Sequence, residues 1–589
     1  MIFPDKSFID DSYLRALIDK YFEKISGKTF SFIHEPTTRA FINSKNLPPL
    51  AEAHSRASLI FGIAAITIQS TNYENKVEDT EILVRLAKSH IDQDDPSLEN
   101  LQALLALAIA YLSFGDTRKS FMSVGVCCRM AIALDLLREP PHSMSPLTKE
   151  IRRRCFWATY ILDRYTAAGS KRFATYDDNS IKVNFPCRDE YWNSANSNAI
   201  QHNQTSLANS EVQGFFSSEY NGLQQYLLVV SILGQAIQYH QLGGVEGDTH
   251  FPWHQQSRLS KIRTSLQNWA SRNMQQLTLG EEQLRKRLTM SDGQVYLMMR
   301  AIYHVIHCLL YLNVLPMRLN ELEVGPALQQ AWRREAVETV LQHSNHIGEL
   351  AESLLSNFPA RQVDSSVPAF FGFCTFVAGI GHVYGSHYIE APLPHRISPS
   401  RSAKHLHNEF DLLKSLRVNW KSAEHQFLIL KILRKEHMSV VKNGVQKSIY
   451  YNEDILSRYD VLKGVDWSHC SLAPINGQEM YELAGVYESD SETESCSTTN
   501  VDTSENGQFV RRTENLSLNR FQAQSSDGTE MPAQEEHETL YRGMHHENVG
   551  DYLEFDLLDD EMLMLDPRHT DGQDVQMDVD PFLMSLQAF

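Results

Sequence analysis

The segment EIRRRCFWATYILDRYTAAGSKR, from Glu150 to Arg172, places three consecutive arginines directly before a run of aromatic and aliphatic residues. Three interpretations are open for it: a nucleic-acid patch, an anion site, or one helix of a packed core. Successive residues of an α-helix lie about 100° apart, so Arg152, Arg153 and Arg154 spread over about 200° of the helix surface. They do not share the single face that a row of phosphate contacts requires. The spacing therefore favours a core helix.

Carboxylates that can pair with these arginines occur in the same segment. Glu150 precedes Arg153 and Arg154 by three and four residues, which is the favourable acid-before-base order on a helix. Asp163 lies further along and can accept from an arginine of this or a neighbouring helix. We therefore expect a buried or half-buried network of arginines and carboxylates that fixes helix register, rather than an anion site.

The charge of the chain is concentrated at its C-terminal end. Residues 484–589 contain 24 acidic residues and 5 arginines, which accounts for the net charge of −19 of the whole chain. Residues 1–483 contain 49 acidic and 49 basic residues and are therefore neutral. A free-standing DNA-binding domain would carry a basic surface, and no large segment has one.

Helical periodicity extends from about residue 8 to residue 440, without a convincing run of alternating β-branched residues. Residues 57–68 (ASLIFGIAAITI) are apolar on almost every side, as in a helix buried within a large helical body. Two helix starts are marked by an N-cap side chain followed by proline at the first helical position, Asp95-Pro96 and Ser145-Pro146. The sequence thus predicts a multilayered all-α fold without a sizeable sheet.

Composition divides the chain into four parts. We predict a helical body over residues 8–445, a C-terminal extension of it over 446–483, and a disordered Ser/Thr/Glu-rich linker over 484–550, where too little apolar surface is present to offset the entropy of ordering. Residues 551–589 interleave acids with large apolar side chains, the alternation that is typical of disordered activation segments. The apolar residues we single out are Phe555, Leu557, Leu558, Met562, Leu563, Phe582 and Leu583.

Cysteine usage and the apolar segments indicate the compartment. Eight cysteines in a chain of this length form no disulfide framework, and the N-terminus has neither a basic nor an apolar signal region, which favours a reducing intracellular location. The apolar run 367–383 contains Pro368, Thr375 and His382 and is shorter than the ~20 clean apolar residues that a bilayer requires. We interpret it as a buried core helix and expect no membrane association.

A series of short motifs runs through residues 115–186. A helix of small residues is followed by Glu-x-Arg-Arg-Arg-x-Phe-Trp, then by Leu-Asp-Arg, and an acidic patch and a proline close the series. In this order the motifs resemble the middle homology region, or fungal-specific transcription factor domain, of the fungal zinc-cluster regulators, with the signature core at 115–190. The residues that carry the resemblance are Gly125, Arg129, Glu150, Arg152, Arg153, Arg154, Phe156, Trp157, Asp163, Arg164 and Pro186.

The resemblance implies a nuclear regulator of RNA polymerase II transcription, acting on a metabolic or biosynthetic gene set, rather than an enzyme. It also implies coactivator or mediator-type partners and homo- or heterodimers. The family binds DNA through an N-terminal two-zinc cluster held by six cysteines, but the resemblance begins near residue 13, and no such cluster occurs in this sequence. We therefore expect no cofactor in this chain, and DNA binding that is either indirect or dependent on a missing N-terminal cluster.

Three other interpretations remain open. An all-α enzyme of the terpene-cyclase type needs acidic clusters for Mg²⁺, but the acids of DQDDPSLEN (92–100) have the wrong spacing for that family. His304, His307 and Cys308 share one helical face and would suit zinc, although no carboxylate completes the set. The third interpretation is a ligand-sensing or dimerisation module without activation function. No residue in the sequence identifies its ligand.

Overall fold

The structure is a computed structural model that describes residues 11–25, 29–44, 54–68, 76–168, 172–192, 206–207, 221–245, 247–290, 292–312, 327–357, 367–388 and 398–443. These residues contain seventeen α-helices, a 3₁₀ turn at Asp178–Ser180 and no β-strand. The prediction of an all-α fold is confirmed. The predicted extension, linker and acidic segment beyond residue 445 lie outside the described residues.

The helices have the following bounds. They are α1 Asp11–Lys24, α2 Glu35–Ile42, α3 His54–Ile68, α4 Lys76–Ser89, α5 Leu98–Ser113, α6 Thr117–Ala133, α7 Pro146–Ala167, α8 Asp189–Trp192, α9 Gly222–Gln241, α10 Arg258–Arg272, α11 Met274–Leu277, α12 Glu281–Leu288, α13 Gly293–Leu312, α14 Ala327–Asn357, α15 Ala369–Tyr388, α16 Pro399–Leu416 and α17 Ser422–Asn443.

Neighbouring helices pack against one another along most of the chain. Helix α3 packs against α1, α4 and α5, and α5 packs in turn against α6, which contacts α7. Helix α9 packs against both α7 and α13. Helices α13 through α17 pack against one another, and α15 contacts α13, α14, α16 and α17. Since α3 and α5 are buried on almost every side, their sequences lack the polar face of a surface helix.

Helices α13 and α15 are long and apolar enough to cross a membrane by length and composition alone, but 89% of each apolar window is buried against other helices. The window in α15 covers most of the run 367–383, which was predicted to be a core helix. Its packing agrees with that prediction. The driving force is the removal of its apolar side chains from water by helices α14, α16 and α17.

The two predicted helix starts had different outcomes. Helix α7 begins at Pro146, and Ser145 Oγ accepts a hydrogen bond from the Thr148 backbone N–H at 3.1 Å, so this prediction is confirmed. The start at Asp95-Pro96 was wrong by two residues, because α5 begins at Leu98 with Ser97 as its N-cap. A serine hydroxyl next to the first turn satisfies its free N–H groups, so the helix does not need the earlier aspartate.

Candidate functional site

Helix α7 is buried over most of its length and carries the residues that the sequence singled out. Phe156 and Trp157 are in the core, and Trp157 Nε1 donates to the Asn184 carbonyl at 2.9 Å. The Trp157 ring also stacks on Phe185 at a centroid distance of 4.9 Å. The aromatic pair therefore attaches the segment that follows α7 to the helix itself, with the indole N–H satisfied as a buried donor requires.

Glu150 is the centre of the first polar cluster on α7. Its carboxylate accepts from Arg153 Nη1 at 3.1 Å, from Arg154 Nε at 3.0 Å and from the Cys187 backbone N–H at 2.8 Å. Burial raises the pKa of Glu150, but Arg154 and Arg153 outweigh it and the net shift is downward. The carboxylate thus stays ionised although it is fully buried, because two guanidinium groups and an N–H compensate the loss of water.

Arg153 and Arg154 reach in different directions from this carboxylate. Arg153 also binds Glu139, in the loop that precedes α7. Arg154 Nη1 donates to Asp189 at 2.8 Å, and its guanidinium lies 4.4 Å from the centre of the Trp192 ring. The buried network predicted from the sequence is therefore present, and it holds chain segments on both sides of α7.

A second cluster is built on Asp163 and Arg164, near the C-terminal end of α7. Asp163 accepts from the Thr175 N–H at 2.9 Å and from Arg164 Nη1 at 2.7 Å. Arg164 Nη2 donates to Asp178 at 2.7 Å and to the Tyr176 carbonyl at 2.8 Å. Helix α9 also binds the carboxylate of Asp178, because Ser231 Oγ donates to it at 2.7 Å. The cluster fastens residues 175–178 onto α7 and α9.

The other signature residues divide into buried and exposed positions. Arg152 is half-buried and donates from Nη2 to the Leu134 carbonyl at 2.6 Å, while Pro186 is buried. Gly125 and Arg129 are exposed on α6, and a Cβ atom at Gly125 would meet no atom within 4 Å. Nothing in the local packing requires glycine at that position.

The three residues of α13 that were considered as zinc ligands, His304, His307 and Cys308, contact side chains of α14. Cys308 turns to the Ser344 hydroxyl, with Sγ 3.6 Å from Oγ, and its pKa is raised by burial to about 12. His304 instead contacts His343 of α14, with 2.8 Å between the two Nδ1 atoms, and His307 stacks on His343 at 3.9 Å. His343 was not among the predicted ligands, although His343 and His346 form an i,i+3 pair in the sequence.

The imidazoles of His304, His307 and His343 are neutral. Burial lowers the pKa of His307 to about 3, and the pKa values of His304 and His343 lie well below the usual value because burial and the neighbouring imidazoles act together. Within the described ranges, no group of three or more His, Cys, Asp or Glu residues has a geometry that would hold a metal ion. One hydrogen bond joins the Nδ1 atoms of His304 and His343, and the buried rings of His304 and His307 both pack against that of His343.

A third polar cluster joins α14, α15 and α16. His382 lies between Asn345 and Glu409, with Nε2 3.2 Å from the Asn345 oxygen and Nδ1 2.9 Å from Glu409 Oε1. Burial lowers the pKa of His382 to about 3 and raises that of Glu409 well above its usual value. Neutral His382 therefore donates from Nε2 to Asn345 and accepts at Nδ1 from protonated Glu409.

The acidic residues considered for an enzyme do not form a metal site. Asp94 and Asp95 are exposed, and both backbone N–H groups bond to Asp92 Oδ1, at 2.9 and 3.3 Å, in a turn that precedes α5. Ser97 is occupied as the N-cap of that helix. The seven apolar residues singled out in the segment 551–589 lie outside the described residues.

Comparison with known proteins supports the family resemblance of these motifs. The family model of the fungal specific transcription factor domain matches residues 18–271, from α1 to the last turn of α10 and including α7. Residues 18–271 are thus similar to a fungal specific transcription factor domain. The motif residues from Glu150 to Pro186 lie in the middle of the matched region, which also contains the buried network of α7.

Curated relatives extend the similarity over more of the chain. An uncharacterized transcriptional regulatory protein of Schizosaccharomyces pombe is 25% identical over 328 residues, which cover 50% of this chain and 32% of that protein. Two Zn(2)-C6 fungal-type transcription factors of Fusarium oxysporum, FTF1a and FTF2, are each 22% identical over 63% of this chain and 35% of their own length. The chain thus spans about a third of the length of these relatives.

Proposed function

We propose that the chain is a transcription regulator of the fungal zinc-cluster type, in which the helical body is the regulatory part. The observation that carries the proposal is the match of the transcription factor domain over residues 18–271, supported by relatives named as transcription factors. The buried α7 clusters fit a scaffold role within that body, because their charged groups are used in internal pairs. The protein would act in the nucleus, on RNA polymerase II transcription of a metabolic or biosynthetic gene set.

The acidic end of the chain is the part that we expect to act on transcription. Residues 551–589 would fold on a coactivator or mediator-type protein, with their apolar side chains in a groove and their acids facing its basic rim. Such coupled folding and binding suits a segment that carries acids between large apolar residues. The residues proposed to enter the groove include Phe555, Leu557 and Leu558.

Contact with DNA is proposed to be indirect or to depend on a missing N-terminal zinc cluster. The names of the Fusarium relatives specify a Zn(2)-C6 type, and two zinc ions need closely spaced bridging thiolates. All six cysteines among the described residues are buried and unbonded to one another, so they do not supply such a cluster. The cluster would come from a partner or from a segment beyond this sequence, in a homo- or heterodimer.

The proposal is tested by fusing the full chain to a heterologous DNA-binding domain and measuring a reporter gene. We expect activation, and we expect replacing Phe555, Leu557 and Leu558 together by alanine to reduce it at least about tenfold, since each buried large apolar side chain contributes roughly 1.5 kcal/mol or more. A matched triple alanine variant at the polar positions Thr570, Gln573 and Gln576 should keep the activity. A silent reporter with a stably expressed fusion would contradict the proposal.

A further inference from the structure

A cavity of about 160 Å³ lies where the N-terminal helices meet the C-terminal ones. One wall comes from α1, α3, α5 and α7, within the matched domain, and the other comes from α15 and α17, which follow it. The wall is mainly aromatic and aliphatic. Its aromatic residues include Phe30, Tyr165, Phe370, Phe373, Phe376 and Trp420.

The aromatic rings of this wall are fixed by contacts with one another. Tyr165 stacks on Phe370 in parallel, with 3.7 Å between ring centroids, and Phe30 meets the Tyr165 ring edge-on at 6.3 Å. The polar atoms of Trp420 and Tyr165 already have partners, because Trp420 Nε1 donates to the Val367 carbonyl at 2.8 Å and the Tyr165 hydroxyl pairs with that of Tyr226. The rings therefore offer apolar faces to the cavity.

One polar side chain in the wall differs from these. The side-chain oxygen Oε1 of Gln426, on α17, is buried and accepts no hydrogen bond from any residue that the structure describes. Its Oε1 lies against Gly372 of α15, where a Cβ atom would approach the oxygen to 2.7 Å. A buried amide oxygen without a donor costs free energy, so this oxygen is available to a ligand that supplies a hydrogen-bond donor. Rotation about its last side-chain torsion presents either the oxygen or the N–H₂ group.

We infer that this cavity binds a small, flat, uncharged aromatic molecule that carries one hydroxyl group, with the ring against Tyr165, Phe370 and Trp420 and the hydroxyl on the Gln426 carboxamide. Cavities of about 150 Å³ with aliphatic and aromatic walls accept benzene, so the volume suits a single ring. A hydroxyl is both donor and acceptor and matches either orientation of the amide. Because the ligand would contact both walls, its binding would couple the matched domain to α15 and α17.

The test measures binding of phenol and toluene to the purified full chain by titration calorimetry and thermal shift. The two probes have the same ring and almost the same size, and only phenol forms hydrogen bonds. We expect phenol to bind about two- to tenfold tighter than toluene, the range expected for one hydrogen bond between neutral groups. In Gln426→Leu the two affinities should become equal. The purified chain is used, so the result does not depend on the proposed role in transcription.

Two variants serve as matched controls. Gln342→Leu makes the same change at an exposed position of α14 and should keep the preference for phenol. Ile109→Phe adds a ring at the cavity wall and should weaken binding of both probes about tenfold or more. The inference is overturned if neither probe binds saturably to the wild-type chain, or if Gln426→Leu keeps the preference for phenol.

Photolabelling of the wild-type chain with 4-azidophenol gives a second readout that needs no variant. Labelled peptides from 367–376 or 420–429 that disappear with excess phenol would support the cavity as the site. Labels elsewhere, or labels that excess phenol leaves unchanged, would overturn the inference even if phenol binds.

Discussion

Glu150 on α7 and Glu409 on α16 are both fully buried glutamates, yet their pKa values are shifted in opposite directions. Glu150 accepts from two guanidinium groups and one backbone N–H, and its pKa is lowered. Glu409 faces the neutral imidazole of His382, and burial raises its pKa well above the usual value. The surrounding donors, rather than the extent of burial, therefore decide whether a carboxylate in this core is charged.

The difference also separates two kinds of packing between helices. Around α7, ion pairs attach loop segments to a helix, and removal of one partner leaves a buried charge without compensation. Between α14, α15 and α16, a chain of neutral hydrogen bonds runs from Asn345 through His382 to Glu409. Such a chain should tolerate an isosteric neutral substitution, whereas the α7 network should not.

Substitution of Glu150 tests the charged network and should have the largest effect. Glu150→Gln keeps the shape but leaves Arg153 and Arg154 without their shared carboxylate, so we expect the free energy of unfolding to fall by about 3–5 kcal/mol. Denaturant unfolding followed by circular dichroism measures this change. The matched control is Glu190→Gln, which breaks an exposed pair with Arg188 and should cost at most about 1 kcal/mol. Equal effects of the two variants would contradict the role assigned to the network.

A pair of glycine substitutions tests how rigidly the second cluster of α7 is held. A Cβ atom at Gly234 of α9 would lie 2.6 Å from Arg164 Nε, and Arg164 is fixed by Asp163 and Asp178. We therefore expect Gly234→Ala to destabilise the protein by about 1–3 kcal/mol. Gly125→Ala, on the exposed side of α6, should instead stabilise it by about 0.5–1 kcal/mol. Thermal unfolding of both variants checks the opposite signs, and a stabilised Gly234→Ala would show that Arg164 moves freely.

The sequence predicted the helical fold and those members of the α7 network that lie on α7 itself. Glu150, Arg153 and Arg154 were found because helical spacing places them together, and that information is local. Glu139 and Asp189, which complete the network, lie in or after loops whose course no periodicity describes. The partner of His382 was missed for the same reason, since Glu409 comes from another helix 27 residues later. The cavity depends on contacts between helices that are far apart in sequence.

The charged and titratable groups around the neutral cluster set its response to pH. His382 stacks on His405 at 5.4 Å, and the pKa of His405 is lowered to about 4 by burial, by His382 and by Arg401. His382 stays neutral in the folded state, so its contribution to stability is lost as pH falls from about 6.5 towards 3.

Glu409 changes stability with pH in the opposite direction. Its folded-state pKa is raised, so its contribution is present at low pH and is lost as pH rises above about 4.5.

Glu409→Gln should therefore stabilise the protein increasingly as pH rises from 5 to 8. The glutamine N–H₂ group donates to His382 Nδ1 in place of the protonated carboxyl, without a proton to lose. The difference in unfolding free energy between variant and wild type should grow by up to about 1.4 kcal/mol per pH unit while Glu409 stays protonated. Denaturant unfolding at several pH values measures it, with Glu352→Gln as a control that removes an exposed carboxylate paired with Lys404. A difference that is constant over this range would mean that Glu409 is already ionised in the folded protein, and the contrast with Glu150 would disappear.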